Sequence, residues 1–291
     1  MTAAAAIKAG EALVPGISPQ VYGLADFQRI SAKVHEQAGI VLSDKKRMLV
    51  YSRLAPLLRV TNSQSFSEFL DQTENDAALA TRMIEALTTN HTYFNRESHH
   101  YDHFAQTLRP QLLHRANQGQ PVRIWSAGCS SGEEIWTLMM VLLGPSQQEG
   151  RRIAKQNIVA LASDLASHAV NAGIDASYEA AALEAVPEAL RKAWTVNEGG
   201  KVKIGPEARS LVRFRQLNLL GPWPMKNAFD VIFCRNVMIY FDTPTKEKLV
   251  WRFANQLKPG GFLYIGHSER VSGPAEELLE LVGPTVYRRR A

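Results

Sequence analysis

The residues best suited to bind a ligand lie in one stretch, residues 123–134, with the sequence RIWSAGCSSGEE. Ile124 and Trp125 favour a β-strand, and the run of small residues from 128 to 132 predicts a tight turn whose backbone a ligand approaches closely. Apolar residues then recur at helical spacing from Ile135 onward. This order of strand, turn and helix places the turn at the carboxyl end of the strand, where open α/β sheets bind ligands.

The spacing within this turn argues against a dinucleotide site. A dinucleotide fingerprint has the pattern G-x-G-x-x-G and an acidic residue about 20 residues later. Here the glycines are spaced G-x-x-x-G, and the next acid that ends an apolar run is Asp164. Glu133 and Glu134 suit the first turn of a helix, beside its dipole, but their charge would also repel a pyrophosphate. The stretch therefore favours a nucleoside ligand with a cationic or neutral tail, such as S-adenosylmethionine.

Composition and charge restrict the class of protein. The 291 residues allow one large domain, or a medium domain plus a small one, and 45% of them are hydrophobic, as in ordinary globular proteins. A net charge of +5 fits a nucleic acid, an acidic protein partner or neither. The two cysteines, Cys129 and Cys234, lack metal-ligand spacing, which favours a reducing compartment. No apolar run is long enough to span a membrane, and Lys8 and Glu11 interrupt the alanine-rich start, so we expect a cytoplasmic protein.

The first part of the chain reads as a small helical domain. Residues 1–20 suggest a flexible lead-in that ends in a Pro, Gly and Ser cluster. Helical periodicity runs through residues 21–87, where Phe27, Ile30 and Val34 share one helix face. Pro56 is expected to kink or break the second helix of this domain.

That second helix region, residues 43–60, is strongly basic. This segment contains five basic residues and a single acidic residue, Asp44, which gives it a net charge of 5 − 1 = +4. The basic residues are Lys45, Lys46, Arg47, Arg53 and Arg59. They form either a solvated helix face or a docking surface for an acidic partner.

Residues 88–100 form a predicted linker that is dense in hydrogen-bonding groups. Thr88, Asn90 and Thr92 alternate with other residues, as an extended segment would present them to one side. The segment is either an ordinary interdomain linker or part of the ligand site. His99 and His103 are four residues apart, but they do not form an H-E-x-x-H pattern and no third ligand is evident, so no metal is predicted.

Residues 101–291 predict a doubly wound, mainly parallel sheet of six strands with helical crossovers. Polar residues follow the first four strands at their carboxyl ends. Asp164 there could bind a ribose diol or cap the next helix. Residues 173–210 are longer than a simple crossover needs, which suggests a small inserted hairpin subdomain.

From about residue 22 to the end, the chain resembles the CheR family, the chemoreceptor glutamate O-methyltransferases of bacterial chemotaxis. Six blocks in the family's order carry the resemblance. They are TTNHTYFNRE (88–97), SAGCSSGEE (126–134), ASDL (162–165), LNLL (217–220), FDVIFCRNVMIYF (229–241) and GGFLYIGHSE (260–269).

The resemblance implies a Rossmann-like methyltransferase domain that uses S-adenosylmethionine, preceded by a small all-helical domain and carrying a small inserted β-subdomain. It also implies a cofactor site and a catalytic pair, Arg96 and Tyr240, which acts on the substrate carboxylate. The implied cofactor residues are Asn90, Thr92, Arg96, Glu133, Asp164, Asn218, Leu219, Arg235, Asn236 and Val237. One departure is Asn95, which stands where the family usually has a second phenylalanine or a similar apolar residue, and His91 is another variation.

The family's reaction would transfer a methyl group to receptor glutamates and form methyl esters. A glutamate, with a pKa of about 4.3, is already ionised at neutral pH, so no general base is required. The helical domain would dock the acidic methylation region of a receptor through its basic second helix, with no nucleic acid and no metal involved. Two alternatives stay open: a nucleic-acid or small-molecule methyltransferase, although RNVMIYF replaces the usual N/D-P-P-Y/F element, and a catalytically idle adaptor.

Overall fold

The computed structural model describes residues 13–291 and divides into two compact units. The first unit ends at Thr89, and the second runs from Asn90 to Ala291. Most of the predicted lead-in, residues 1–12, lies outside the described residues. Leu13 and Val14, at the end of that lead-in, are buried.

The first unit is built from four helices: α1 (Leu24–Ala38), α2 (Arg47–Val60), α3 (Phe66–Asn75) and α4 (Ala77–Leu87). A short 3-10 helix, Asp44–Lys46, leads into α2. Side chains cap two of the starts: Ser65 accepts a hydrogen bond from the Glu68 amide, and Asp76 accepts one from the Leu79 amide. Such caps satisfy amides that have no partner within the helix.

The predicted break at Pro56 does not occur, because α2 continues to Val60. A proline ring removes one backbone hydrogen bond and crowds the preceding turn. Here Val50, Leu54 and Leu58 form a buried stripe along the same helix. Helices in proteins are stabilised mostly by packing of such a stripe, so packing outweighs the local cost of the proline.

The second unit begins with a nearly continuous helical stretch: α5 (His99–His103), a π-helical segment (Phe104–Leu108) and α6 (Arg109–Asn117). The remaining helices are α7 (Glu133–Leu143), α8 (Gln147–Ile153), α9 (Ser167–Asp175), α10 (Glu188–Trp194), α11 (Pro206–Leu211) and α12 (Thr243–Gln256). The strands are β1 (Val122–Ala127), β2 (Ile158–Asp164), β3 (Ser177–Glu179), β4 (Thr195–Glu198), β5 (Lys201–Ile204), β6 (Val212–Gln216), β7 (Phe229–Cys234), β8 (Leu257–Ile265), β9 (Leu279–Gly283) and β10 (Val286–Arg289).

Seven strands form the main sheet in the order β6-β2-β1-β7-β8-β10-β9. The first five are parallel, and β10 and β9 are antiparallel additions. This confirms the predicted doubly wound, mainly parallel sheet. The chain moves outward from β1 in both directions, so the topological switch point, where such sheets bind ligands, lies between β1 and β7. The sequence prediction missed β9, whose side chains are mostly exposed and therefore show no apolar pattern.

Alternate residues of the central strands pack on opposite faces of the sheet. Ile124 of β1 belongs to one apolar cluster and Trp125 to the other. In β7, Val231 and Phe233 join the first cluster and Ile232 the second. Because both faces are covered, these strands read as continuous apolar runs. None of the helices in residues 13–291 is long and apolar enough to cross a membrane.

The inserted segment contains a three-stranded antiparallel sheet in the order β3-β5-β4. Trp194, at the end of α10, anchors the segment to the main domain. Its side chain is 1% exposed, and Nε1 donates a hydrogen bond to the Gly144 carbonyl at 2.6 Å. Gly150 of α8 lies directly against the same indole ring.

We predict that Gly150→Ala destabilises the protein. The new Cβ would lie 2.2 Å from Cζ2 of Trp194 and 3.1 Å from the Leu143 carbonyl, and the hydrogen bond to Gly144 prevents the indole from withdrawing. Overpacking of this kind costs about 1–3 kcal/mol of unfolding free energy. Chemical denaturation measures the change. Gly221→Ala is the control, because its Cβ would meet nothing closer than 3.5 Å; equal stability of both variants would contradict the packing argument.

Candidate active site

The turn after β1 is shaped for close contact with a ligand. Gly128 and Gly132 have φ angles of 82° and 98°, which favour glycine. The amides of Gly128 and Cys129 donate to the Ser163 carbonyl at 2.8 and 2.9 Å, which ties the turn to the end of β2. A Cβ at Gly128 would lie 2.4 Å from Cγ2 of Val237, so a larger residue would displace that side chain. Val237, a predicted cofactor residue, therefore lies directly at the turn.

Asp164, at the end of β2, joins the turn to the linker. Its carboxylate accepts hydrogen bonds from the Ser130 amide at 2.8 Å, the Ala166 amide at 3.0 Å and the Asn90 side chain at 3.2 Å. Ser130 in turn donates its hydroxyl to the Asn90 carbonyl at 2.7 Å. Burial raises the pKa of Asp164, an effect that these donors oppose. The structure thus brings two predicted cofactor residues, Asn90 and Asp164, into direct contact.

Asn95 fixes the linker to the rest of the second unit. Asn95 has a φ of 57°, in the left-handed region that asparagine tolerates better than most residues. Its amide donates to the Thr137 hydroxyl at 3.2 Å, and its side chain donates to the Ala185 carbonyl at 2.8 Å. Beside it, Phe94 is fully buried and packs edge-on against Tyr178. The asparagine therefore supports this turn both through its backbone conformation and through its side-chain hydrogen bond.

The two acids that open α7 have different environments. Glu133 is half-buried and accepts from the Ser131 hydroxyl at 2.8 Å. Glu134 is buried, accepts from the Ser126 hydroxyl at 2.7 Å and lies 3.3 Å from a guanidinium nitrogen of Arg235. Burial raises the pKa of both carboxyls. The carboxylate of Glu134 is thus bonded to other groups of the protein, whereas that of Glu133, the predicted cofactor residue, is the more accessible of the two.

Arg235, which follows β7, is a charged side chain that is only 1% exposed. It donates to the Tyr101 hydroxyl at 3.1 Å and to the Arg96 carbonyl, and it lies 3.4 Å from a carboxylate oxygen of Glu97. Burial disfavours its charged form, but Tyr101 and the carboxylates of Glu134 and Glu97 hold the pKa of Arg235 above its usual value. The guanidinium therefore holds the linker against the sheet.

Glu97 is a second centre of this network, and sequence reasoning did not assign it a role. One carboxylate oxygen accepts from the Asn236 side chain at 3.2 Å and from His267 Nδ1 at 3.0 Å. The other lies 3.4 Å from Arg235 and 3.5 Å from Nδ1 of His100. Burial alone would raise the pKa of Glu97, but the His267 hydrogen bond, the Arg235 charge and the Asn236 donor together lower it to about 2.

Glu269 holds the loop that follows β7. Its carboxylate accepts backbone hydrogen bonds from Asn236 at 3.2 Å, from Met238 at 2.8 Å and from Gly266 at 2.6 Å. This fixes the short 3-10 helix Met238–Tyr240, and with it Tyr240. Sequence reasoning also missed this residue. The feature of the sequence that could have revealed it is the acid of the GHSE motif, which directly follows strand β8.

The remaining predicted residues lie along the same edge of the unit. Asn218 and Leu219 follow β6, and the Leu217 amide donates to the Asp164 backbone carbonyl at 2.8 Å. Arg96 and Tyr240 are both partly exposed, and Thr92 is half-buried in the linker. The Arg96 guanidinium donates to the His91 carbonyl at 3.1 Å and lies 5.4 Å from the ring centre of Tyr93.

Two family models match the chain. The CheR methyltransferase SAM-binding domain matches residues 90–287, and the CheR methyltransferase all-alpha domain matches residues 25–88. The chain belongs to the CheR methyltransferase family. Among similar proteins is a probable chemotaxis protein methyltransferase of Rhizobium etli, 40% identical over 88% of this chain and 96% of the relative. Chemotaxis protein methyltransferase 2 of Pseudomonas aeruginosa is 36% identical, covering 91% and 93% of the two chains, and the Escherichia coli chemotaxis protein methyltransferase is 35% identical, covering 90% of each.

The site therefore belongs to an enzyme of the CheR family that uses S-adenosylmethionine. The donor set suits this cofactor: a glycine turn that admits close approach, carboxylates at the ends of strands, and asparagine side chains beside them. Cys129 and Cys234 lie next to these groups, but both are buried, and burial raises the pKa of each thiol well above its usual value. Within residues 13–291, no group of three or more His, Cys, Asp or Glu side chains is arranged to hold a metal ion.

We predict that Glu97→Gln lowers stability in a pH-dependent way. The pKa of Glu97 falls from 4.5 to about 2 in the folded protein, so ionisation favours folding above pH 4.5, and this advantage is lost as the pH falls toward 2. Urea denaturation at stepwise lower pH should therefore show the wild-type advantage over Glu97→Gln shrinking below about pH 4.5. Glu184→Gln is the control, because Glu184 lies exposed on the surface of the second unit. A gap that stays constant with pH would contradict the role given to Glu97.

Proposed function

We propose that this enzyme transfers the methyl group of S-adenosylmethionine to glutamate carboxylates of chemoreceptors and forms methyl esters. The main support is that one buried network holds the segments that carry Arg96 and Tyr240. Arg235 donates to the Arg96 carbonyl, and Glu269 accepts from the backbone of the helix that ends at Tyr240. The names of the relatives, chemotaxis protein methyltransferases, support the same reaction.

The cofactor site in this proposal uses the residues at the carboxyl edge of the sheet. Asp164 and Glu133 would take the ribose and the amino group. Asn90, Thr92 and Arg96 would contribute from the linker, and the remaining contacts would come from Asn218, Leu219, Asn236 and Val237. The guanidinium of Arg235 is engaged inside the protein, so Arg235 would contribute through its backbone. S-adenosylmethionine supplies an electrophilic methyl group on a sulfonium.

In the proposed reaction, a carboxylate oxygen of the receptor bonds to the methyl carbon while the carbon–sulfur bond breaks and its electron pair goes to sulfur. The substrate carboxylate is already ionised at neutral pH, with a pKa of about 4.3, so the protein needs to supply no base. Arg96 would hold the carboxylate by a charge-assisted hydrogen bond, and the Tyr240 hydroxyl would orient it. Positioning of the reacting groups would then supply most of the rate enhancement.

The decisive experiment is transfer of labelled methyl from S-adenosylmethionine to chemoreceptor-rich membranes, followed by mild alkali. Release of the label as methanol identifies a carboxyl ester and supports the proposal. Label that resists alkali would indicate a nitrogen or carbon target and would favour another class of methyltransferase. No incorporation with receptors from the same cell would favour a catalytically idle adaptor.

We predict that Arg96→Ala and Tyr240→Phe slow turnover more than they weaken binding of the product S-adenosylhomocysteine. Loss of one donor to the reacting group lowers kcat by about tenfold or more. Single-turnover methylation gives the rate, and calorimetry gives the product affinity. Tyr51→Phe, in the first unit, is the matched tyrosine control. Equal losses of rate and of product affinity would remove the catalytic role and leave only cofactor binding.

The helical unit is proposed to dock the acidic methylation region of the receptor. Among its five basic candidates, Lys45 and Arg59 are exposed. Arg47 pairs with Asp44 at 3.1 Å, and Arg53 donates to the Leu87 and Thr88 carbonyls, where it caps the end of α4. The docking role therefore falls mainly to Lys45 and Arg59, near opposite ends of α2, with Lys46 next to Lys45. Such docking requires a cytoplasmic location and involves no nucleic acid.

We predict that Lys45→Glu combined with Arg59→Glu raises the KM for receptor membranes several-fold and leaves S-adenosylmethionine affinity unchanged. Exposed ion pairs contribute about 0.2–1 kcal/mol each, and salt screens them. The increase in KM should therefore shrink at high ionic strength. Arg152→Glu, an exposed change in the second unit, is the control. An unchanged KM at low salt would exclude this docking surface.

A further inference from the structure

His267, in the loop after β8, combines an exposed ring with a buried anchor. The side chain is 69% exposed, whereas that of Glu97, its partner, is only 10% exposed. Nδ1 of the imidazole lies 3.0 Å from a Glu97 oxygen, and the His267 amide donates to the same oxygen at 3.4 Å. The ring is therefore fixed in orientation while its other nitrogen, Nε2, remains on the exposed side.

The loop that contains His267 and the loop that carries the proposed catalytic residue Tyr240 follow adjacent strands of the main sheet. Strands β7 and β8 are parallel, and Cys234 pairs with Ile265. Asn236 and His267 each follow two residues later, and Glu97 accepts a hydrogen bond from the side chain of each. Adjacent strands lie about 4.8 Å apart. The exposed imidazole therefore lies beside the loop that carries Tyr240.

The charges around the ring favour an anionic ligand. Glu97 is the acid that contacts the ring. Its carboxylate also lies 3.4 Å from the Arg235 guanidinium and faces His100, so its negative charge is already partly balanced. On the same loop, Arg270 is exposed and donates to the His267 carbonyl at 3.0 Å and to the Glu269 carbonyl at 2.6 Å, so a second cationic group lies on this loop. The Glu269 carboxylate is turned inward to backbone amides. Glu97 also fixes the proton on Nδ1, so a protonated ring presents Nε2–H outward.

We infer that His267, with Arg270 beside it, binds a second acidic side chain of the methyl-accepting segment, distinct from the glutamate that is methylated. The inference rests on the proposed function. The reacting carboxylate is assigned to Arg96 and Tyr240, so the cationic pair after β8 meets a neighbouring acid. On a helical substrate, acids three or four residues apart lie about 5–6 Å from each other, comparable with the separation of adjacent strands. His267 would therefore help to select glutamates that have an acidic neighbour.

The contact would be a charge-assisted hydrogen bond. An imidazolium that is held at Nδ1 by Glu97 donates its Nε2–H to a carboxylate. The Arg270 guanidinium on the same loop offers further donors to the same ligand.

The test compares wild type, His267→Asn, His267→Gln and His114→Asn in methyl transfer to chemoreceptor-rich membranes. Asparagine can retain the bond to Glu97 but has no group in place of Nε2, whereas glutamine offers a neutral donor near that position. We expect His267→Asn to raise the KM about three- to fivefold, with kcat changed less than twofold, which is the scale of an exposed ion pair. His267→Gln should be intermediate.

His114 is exposed near the end of α6 and bonds Gln118, so His114→Asn should match wild type. Unchanged S-adenosylmethionine affinity in all variants would show that the fold is intact. An unaltered KM in His267→Asn would overturn the inference while leaving the proposed function in place. A fall in kcat without a change in KM would also overturn it, because His267 would then act on the reacting groups. Alkali-stable label, or none, with the wild-type enzyme would overturn the function and this inference together.

Discussion

The active-site edge of this protein depends on a single buried charge, that of Arg235. A guanidinium that is almost completely removed from water must find its partners inside the protein, and breaking such a pair costs about 3–5 kcal/mol. Here those partners come from the linker, from α5 and from the start of α7. The charge therefore constrains three separate parts of the chain at once. The linker keeps a defined position because Arg235 would otherwise lack acceptors.

The acidic residues around Arg235 have different roles because their environments differ. Glu134, Glu97 and Glu269 are held by protein donors and fix the positions of loops. Glu133 is only half-buried and stays more accessible. Neighbouring carboxylates thus differ in role because of the donors that surround them. The segments that carry Arg96 and Tyr240, the catalytic pair of the proposal, are held in place by these acids and by Arg235.

The sequence predicted the main sheet well because the central strands are buried on both faces and read as uninterrupted apolar runs. It also located Asp164 and Asn236, since polar residues directly after such runs stand out. It missed Glu97 and Glu269, because their partners are backbone amides and side chains that lie far away in sequence. It did not show that Arg53 donates to the end of α4, because a charge pattern does not reveal that a guanidinium caps a neighbouring helix. Strand β9 was missed because mostly exposed side chains leave no periodic signal.

The burial of the two cysteines bears on whether the enzyme could methylate its own thiols. A thiolate is a far better nucleophile than a carboxylate, and it is the deprotonated form that reacts. Cys129 lies in the turn that would face a sulfonium methyl donor, and Cys234 ends the adjacent strand β7. Because burial raises the pKa of both thiols, they stay protonated at neutral pH. Two nucleophiles stronger than a carboxylate would thereby stay unreactive near the methyl donor of the proposed reaction, which would protect the enzyme from methylating its own cysteines.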